Sequence, residues 1–137
     1  MYKGGEKLSD FVKERTSVHR LDYRLIWCTM YRQPILTNDI SSCLIGLIHT
    51  AAKEKNIDLT SVVVHDNSWV ECFISVVPKM SMSQAVTYLK GISGNRLLKR
   101  YPELKDDKLW NGSYFVESIG CESNADKYIE WAKTHRI

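Results

Sequence analysis

The sequence has no apolar run long enough to cross a bilayer and no closely spaced pair of cysteines. The amino-terminal residues carry charges at Lys3, Glu6 and Lys7 with no apolar run behind them, so we expect a soluble, cytoplasmic protein. The cysteines lie far apart and mostly inside apolar segments, which favours buried thiols over disulfides or a zinc site. They are Cys28, Cys43, Cys72 and Cys121.

Internal repeats and low-complexity segments are also absent, which excludes a repeat array. A chain of 137 residues, 44% hydrophobic and 26% charged, is long enough to bury one core of its own. Residues 1–16 are polar and predict a flexible amino-terminal arm, and residues 17–137 predict a single domain. The net charge of +3 permits an acidic partner such as nucleic acid without requiring one.

Hydrophobic periodicity predicts four strands and three helices. The strands are expected at 18–29, 59–64, 69–77 and 113–119, and the helices at 38–55, 81–99 and 123–135. The second and third strands flank turn residues at 66–68 and predict a hairpin. The order β-α-β-β-α-β-α predicts an α+β fold with a ferredoxin-like (RRM-like) antiparallel sheet. Gly91 and Gly94 lie inside the second helix, where close packing or a kink would account for them.

Four stretches, taken together, resemble the single-tyrosine HUH transposases of bacterial insertion sequences. They run in the family's order across 18–131, nearly the whole domain. The stretches are 19–27 with 31–36, then 73–79 with 89–97 and 101–104, then 109–110 with 113–116, and finally 127–130. The resemblance implies the same fold and a homodimer whose sheets join edge to edge, for which strand 113–119 is the candidate edge.

The resemblance also implies a chemistry, which is DNA recombination and transposition through single-stranded hairpin DNA. A tyrosine hydroxyl attacks a phosphodiester and forms a 5′-phosphotyrosine, while two imidazoles at alternate strand positions hold Mg²⁺ or Mn²⁺. Tyr128 occupies the nucleophile position. Trp69 and Glu71 stand where the family has its two histidines, and Ala132 stands where it has a glutamine one turn after the tyrosine.

A rebuilt metal site is one interpretation of these replacements. Trp69 cannot bind a metal, because its indole nitrogen is only a donor, whereas the carboxylate of Glu71 can. A hairpin loop at 66–68 would place His65 across from Trp69 and on the face of Glu71, so His65, Asp66 and Glu71 could form the site. The alternative is that His65 and Asp66 are ordinary polar residues of a hairpin turn.

Basic and aromatic side chains supply candidate nucleic-acid contacts, each with a plainer alternative. Arg32, Lys90, Arg96, Lys99 and Arg100, together with Lys108, could contact phosphates or simply form a solvated helix face. Trp110, Tyr114 and Trp131 could stack on bases, although we assign Tyr114 to the core. Tyr128 itself could be a packing residue with a hydrogen-bonded hydroxyl.

Three functions follow from these alternatives. The favoured one is a catalytically impaired relative that keeps the fold, the dimer and affinity for hairpin single-stranded DNA or RNA. The second is an active DNA transposase with an altered metal site, built on Glu71 with His65 and using Tyr128. The third is a protein-interaction module that does not bind nucleic acid.

Overall fold

A computed structural model describes residues 21–106, 108–119 and 125–135 of the chain. The strands are β1 (Leu21–Cys28), β2 (Asp58–His65), β3 (Trp69–Val76) and β4 (Phe115–Ser118), and the helices are α1 (Asn38–Glu54), α2 (Met82–Val86), α3 (Ser93–Arg100) and α4 (Ala125–Trp131). A π-helical segment (Thr87–Ile92) joins α2 to α3, and 3₁₀ turns lie at Met30–Arg32 and Pro102–Asp106. The predicted arm, the predicted start of the last helix at Ser123 and Cys121 lie outside the described residues.

The four strands form one antiparallel sheet in the order β2-β3-β1-β4. The predicted α+β fold and its alternation of strands and helices are confirmed, with the predicted second helix divided into α2, the π-helical segment and α3. The predicted 113–119 strand is shorter, and β4 occupies one edge of the sheet while β2 occupies the other. Among the described residues, both edge strands therefore have one side without a strand partner.

The main core lies between one face of the sheet and the helices α1 to α3. Leu25 and Trp27 of β1 are completely buried there, together with Val70 and Cys72 of β3. A smaller apolar cluster lies on the opposite face, where Ile26 is buried beneath α4. The alternation of β1 thus sends odd positions into the main core and even positions toward α4.

The β2–β3 hairpin has the predicted three-residue loop. His65 is the strand partner of Trp69, and the backbone N–H of Ser68 donates to the carbonyl of His65 at 2.9 Å. Asp66 and Asn67 have φ values of 54° and 52°, a left-handed conformation that short polar side chains tolerate better than other non-glycine residues. The turn residues therefore fix the register that brings His65 to the face of Glu71.

Helix α2 begins with a capping box in which Ser81 and Gln84 each accept from the other's backbone N–H. Further along the chain, Gly94 at the start of α3 lies directly against the indole of Trp110. A Cβ atom at Gly94 would lie 2.5 Å from Nε1 of Trp110, which is closer than van der Waals contact allows. Close packing therefore explains Gly94, and Trp110 belongs to the main core.

Replacing Gly94 with alanine is expected to lower the free energy of unfolding by about 1–3 kcal/mol, because the added methyl group overpacks a buried contact. Gly91→Ala is the matched control, since its Cβ would meet only Cγ2 of Thr87, at 4.0 Å. That control should be neutral or stabilising by up to about 1 kcal/mol, as alanine has the higher helix propensity. Urea unfolding of both variants measures the difference, and equal stabilities would contradict this packing.

Candidate functional site

The α4 side of the sheet carries a buried ionic network. Arg24 on β1 and Glu117 on β4 are strand partners, and Glu71 on β3 pairs with Ile26, so all three side chains share this face. Nε of Arg24 donates to Oε2 of Glu71 at 2.5 Å, and Nη1 of Arg24 donates to Oε2 of Glu117 at 3.1 Å. One guanidinium group therefore bridges two carboxylates from neighbouring strands.

His65 completes the environment of Glu71. Its Nε2 donates to Oε1 of Glu71 at 2.8 Å, and its ring stacks on Trp69 with ring centroids 4.0 Å apart. Burial acts to raise the pKa of Glu71, but the hydrogen bonds from His65 and Arg24 outweigh it and hold that pKa below its usual value. Glu71 is consequently an ionised carboxylate with a partner on each oxygen.

Asp66 is turned away from this pair. Its carboxylate accepts from Nη2 of Arg32 at 3.0 Å and from Nε1 of Trp69 at 3.4 Å. The structure therefore brings together His65 and Glu71 of the predicted rebuilt metal site, but not Asp66. Across the described ranges, no group of three or more His, Cys, Asp or Glu side chains is arranged to hold a metal ion.

The side chains at the three predicted motif positions do not fit a divalent metal. Trp69 offers only an N–H, and Ala132 is completely buried with a methyl side chain. Glu71 offers oxygens that already accept from a fixed cation and an imidazole. A metal ion would need at least one further ligand atom that is not already hydrogen-bonded, so these residues do not support a metal-dependent step.

Tyr128 lies on α4 over the apolar part of the same face. Its ring stacks with Phe115 and with Trp131, at centroid distances of 5.7 and 6.1 Å. Its hydroxyl is 3.1 Å from Oγ of Ser113 and lies near the thiol of Cys28. Burial raises the pKa of Tyr128 well above its ordinary value, and burial likewise raises that of Cys28 to about 11. The hydroxyl is thus protonated and held by neighbours other than Glu71.

Lys90 does not lie on a solvated helix face. It is 9% exposed, and its ammonium donates to the carbonyls of Asn111 at 2.7 Å and Ser113 at 3.1 Å. Burial, with a smaller contribution from Lys108, lowers the pKa of Lys90 to about 8. A surface phosphate contact at Lys90 is therefore not supported. Its spacing of seven residues from the buried Leu97 was the available signal for a core-facing position.

The other predicted basic residues remain at or near the surface. Arg32 is held by Asp66 and by Oγ of Ser68, and Arg96 forms an ion pair with Glu54 at 2.9 Å. Lys99 and Arg100 are exposed at the carboxyl end of α3. These last two are the predicted residues with the most freedom to meet a phosphate.

The three aromatic candidates have different environments. Trp110 is buried in the main core, whereas Trp131 is half-buried and stacks between Tyr128 and His135. The assignment of Tyr114 to the core is wrong, because its side chain is 37% exposed. It lies just before β4, where the chain has not yet joined the sheet and alternation does not determine burial.

Comparison with known proteins identifies the protein family that shares this fold. The family described as "Transposase IS200 like" matches residues 17–132. The ISDra2 transposase TnpA of Deinococcus radiodurans is 31% identical over 124 residues, which cover 86% of this chain and 88% of that protein. The chain therefore belongs to the IS200-like transposase family.

Two solved structures share the fold. A candidate transposase from Deinococcus radiodurans superposes with a TM-score of 0.79 at 27% identity, covering 92% of this chain and 99% of that one. A REP-associated tyrosine transposase bound to a REP hairpin has a TM-score of 0.56 at 11% identity, covering 88% of this chain and 70% of that one. Within the described residues, none of the helices has the length and apolar character required to span a membrane.

Proposed function

We propose that this chain is a catalytically impaired member of the IS200-like family that binds hairpin single-stranded DNA as a homodimer. One observation carries the proposal: both oxygens of Glu71, which takes the place of a family histidine, are occupied by Arg24 and His65. This carboxylate is satisfied within the protein. It therefore has little to offer a divalent ion that would have to displace a guanidinium group.

The state of Tyr128 supports the same proposal. A phosphoryl transfer needs charge neutralisation at the phosphate, and removing a metal that supplies it costs several kcal/mol of barrier, on the order of 10³-fold or more in rate. The nucleophile must also lose its proton, yet the raised pKa of Tyr128 opposes this loss. Its hydroxyl is engaged by Oγ of Ser113 instead.

DNA binding does not require those groups. Affinity for nucleic acid comes largely from Lys and Arg facing phosphates, and Lys99 and Arg100 are exposed on α3 close to the ion-paired Arg96. Hairpin single-stranded DNA is the ligand to test, because the resemblance to the single-tyrosine transposases implies it; the neighbour bound to a REP hairpin supports the shared fold. The homodimer is proposed from the family and from the position of β4 at an edge of the sheet that the described residues form.

The decisive experiment incubates the protein with labelled hairpin single-stranded DNA and Mg²⁺ or Mn²⁺. Covalent adducts are read on denaturing gels and binding is read by fluorescence anisotropy. We expect salt-sensitive binding of a similar strength for the wild type and for Tyr128→Phe, and no adduct from either. The double variant K99A/R100A should bind more weakly and with a shallower salt dependence than the wild type.

An adduct that Tyr128→Phe abolishes would overturn the proposal and establish an active transposase with an altered site. Absence of binding across varied hairpins would overturn it in another direction and leave a protein-interaction module. Size-exclusion chromatography with light scattering tests the dimer on the same samples. Binding at full strength by K99A/R100A would exclude the surface assigned here.

A further inference from the structure

Arg24 occupies the centre of a set of groups that would otherwise attract a cation. Glu71 and Glu117 reach its guanidinium from the strands on either side of β1. Nε2 of His65 lies 2.8 Å from Oε1 of Glu71, the oxygen other than the one that accepts from Arg24. These side chains project from adjacent strands on one face, so their positions are fixed by the register of the sheet. Two carboxylates thus flank one guanidinium, and an imidazole holds the other oxygen of one of them.

Among the described side chains that contact Arg24, the carboxylates outnumber the guanidinium group. One guanidinium faces two carboxylates, and both Glu side chains are largely buried, with 11% and 13% exposure for Glu71 and Glu117. Oε1 of Glu117 is buried and has no hydrogen-bond partner in the part of the chain described. Buried carboxylates that lost their cation would therefore either take up protons or recruit another positive ion.

We propose that Arg24 is a built-in cation that substitutes for the divalent metal on this face of the sheet, an inference that rests on the impaired function proposed above. The guanidinium holds the carboxylates of Glu71 and Glu117 together and keeps a free ion out. Wild-type protein consequently needs no divalent ion to fold or to bind DNA. Glu71, Glu117 and His65 are not arranged around a metal ion while Arg24 separates the carboxylates. Without the guanidinium their side chains are free to turn toward one ion, and two carboxylates with an imidazole suit Mn²⁺ or Zn²⁺.

The test measures the binding of Mn²⁺ alone, without DNA, to wild type and Arg24→Ala. Electron paramagnetic resonance gives free Mn²⁺, and isothermal titration gives stoichiometry. We expect no Glu71-dependent binding by the wild type and one bound ion for Arg24→Ala. Its affinity should be at least about tenfold above the wild-type background, because one guanidinium no longer repels the ion. Added Mn²⁺ should raise the melting temperature of Arg24→Ala and leave that of the wild type unchanged.

Matched variants assign the gain to this network. R24A/E71Q should lose the new site, because one of its carboxylates is gone. Arg96→Ala removes an arginine from an exposed ion pair with Glu54 and should gain no site. If Arg24→Ala does not fold without metal, Arg24→Gln is the second variant, because it keeps much of the side-chain volume. Either variant can also be refolded with Mn²⁺, and the bound ion is then measured in the same way.

Two results would overturn the inference: Mn²⁺ binding by the wild type that Glu71→Gln abolishes, or no gain in either Arg24 variant, refolded with Mn²⁺ where necessary. The covalent-adduct assay tests the proposed function separately from these Mn²⁺ measurements. Wild-type protein that binds Mn²⁺ without forming an adduct refutes only the role of Arg24. An adduct formed by the wild type refutes the proposed function, whatever the metal titration shows.

Discussion

Replacing Trp27 with alanine is expected to lower the free energy of unfolding by about 3–5 kcal/mol. Trp27 is completely buried on β1, and its ring meets that of Trp110 edge to face, with centroids 5.9 Å apart and an interplanar angle of 84°. Truncation would open a cavity at the centre of the main core and remove the partner of Trp110. Urea unfolding followed by tryptophan fluorescence and circular dichroism measures the loss.

Trp27→Phe separates volume from hydrogen bonding. Nε1 of Trp27 is buried and has no hydrogen-bond partner among the described residues, so phenylalanine removes an unsatisfied donor along with some volume. We expect this variant to lose less than half of the stability that alanine loses. A loss as large as that of Trp27→Ala would show that the indole nitrogen has a partner after all, such as a buried water.

Local patterns predicted most of the fold. The alternation along β1, the helical spacing in α1 and the polar turn at 66–68 each depend on residues close together in the chain, and the structure follows all three. The turn also predicted that His65 shares a face with Glu71, because a three-residue loop fixes which residues lie opposite each other. This part of the candidate site was accessible from the sequence.

The partners of Glu71 and Tyr128 were less accessible. Arg24 contacts Glu71 and Glu117 only because β1 lies between β3 and β4, and that arrangement depends on strand order across most of the chain. The contact of Tyr128 with Ser113 likewise depends on where α4 docks. Lys90 was predicted to lie at the surface, as charged side chains usually do, whereas helix packing buries it.

Residues 111–113 connect the buried lysine to the tyrosine. The carbonyls of Asn111 and Ser113 accept from Lys90, while Oγ of Ser113 lies beside the hydroxyl of Tyr128. Nδ2 of Asn111 also donates to the carbonyl of His135, beyond the end of α4. Residues 111–113 therefore connect the π-helical segment between α2 and α3 to α4, the helix that carries Tyr128. Disturbing Lys90 should affect both the stability of the fold and the position of Tyr128.

The stability of the wild type relative to Lys90→Met is expected to rise by up to about 3 kcal/mol between pH 8 and pH 10.5. Burial lowers the pKa of folded Lys90 from 10.5 to about 8, whereas an unfolded lysine keeps the ordinary value. Between these pH values the unfolded chain binds more protons, so the free energy of unfolding increases with pH. Below pH 8 both states are charged, and the cost of burying the charge is fully present.

Lys90→Met removes the titrating group while keeping an unbranched side chain, so the gap between wild type and variant isolates Lys90 from other lysines and tyrosines that titrate in this range. Lys99→Met is the control, because Lys99 is exposed on α3 and its variant should follow the wild-type pH dependence. Urea unfolding at pH 7, 8, 9 and 10 measures each difference. A constant gap for Lys90→Met would mean that the two carbonyls stabilise the ammonium enough to offset its burial, and the pKa of Lys90 would then lie near that of an exposed lysine.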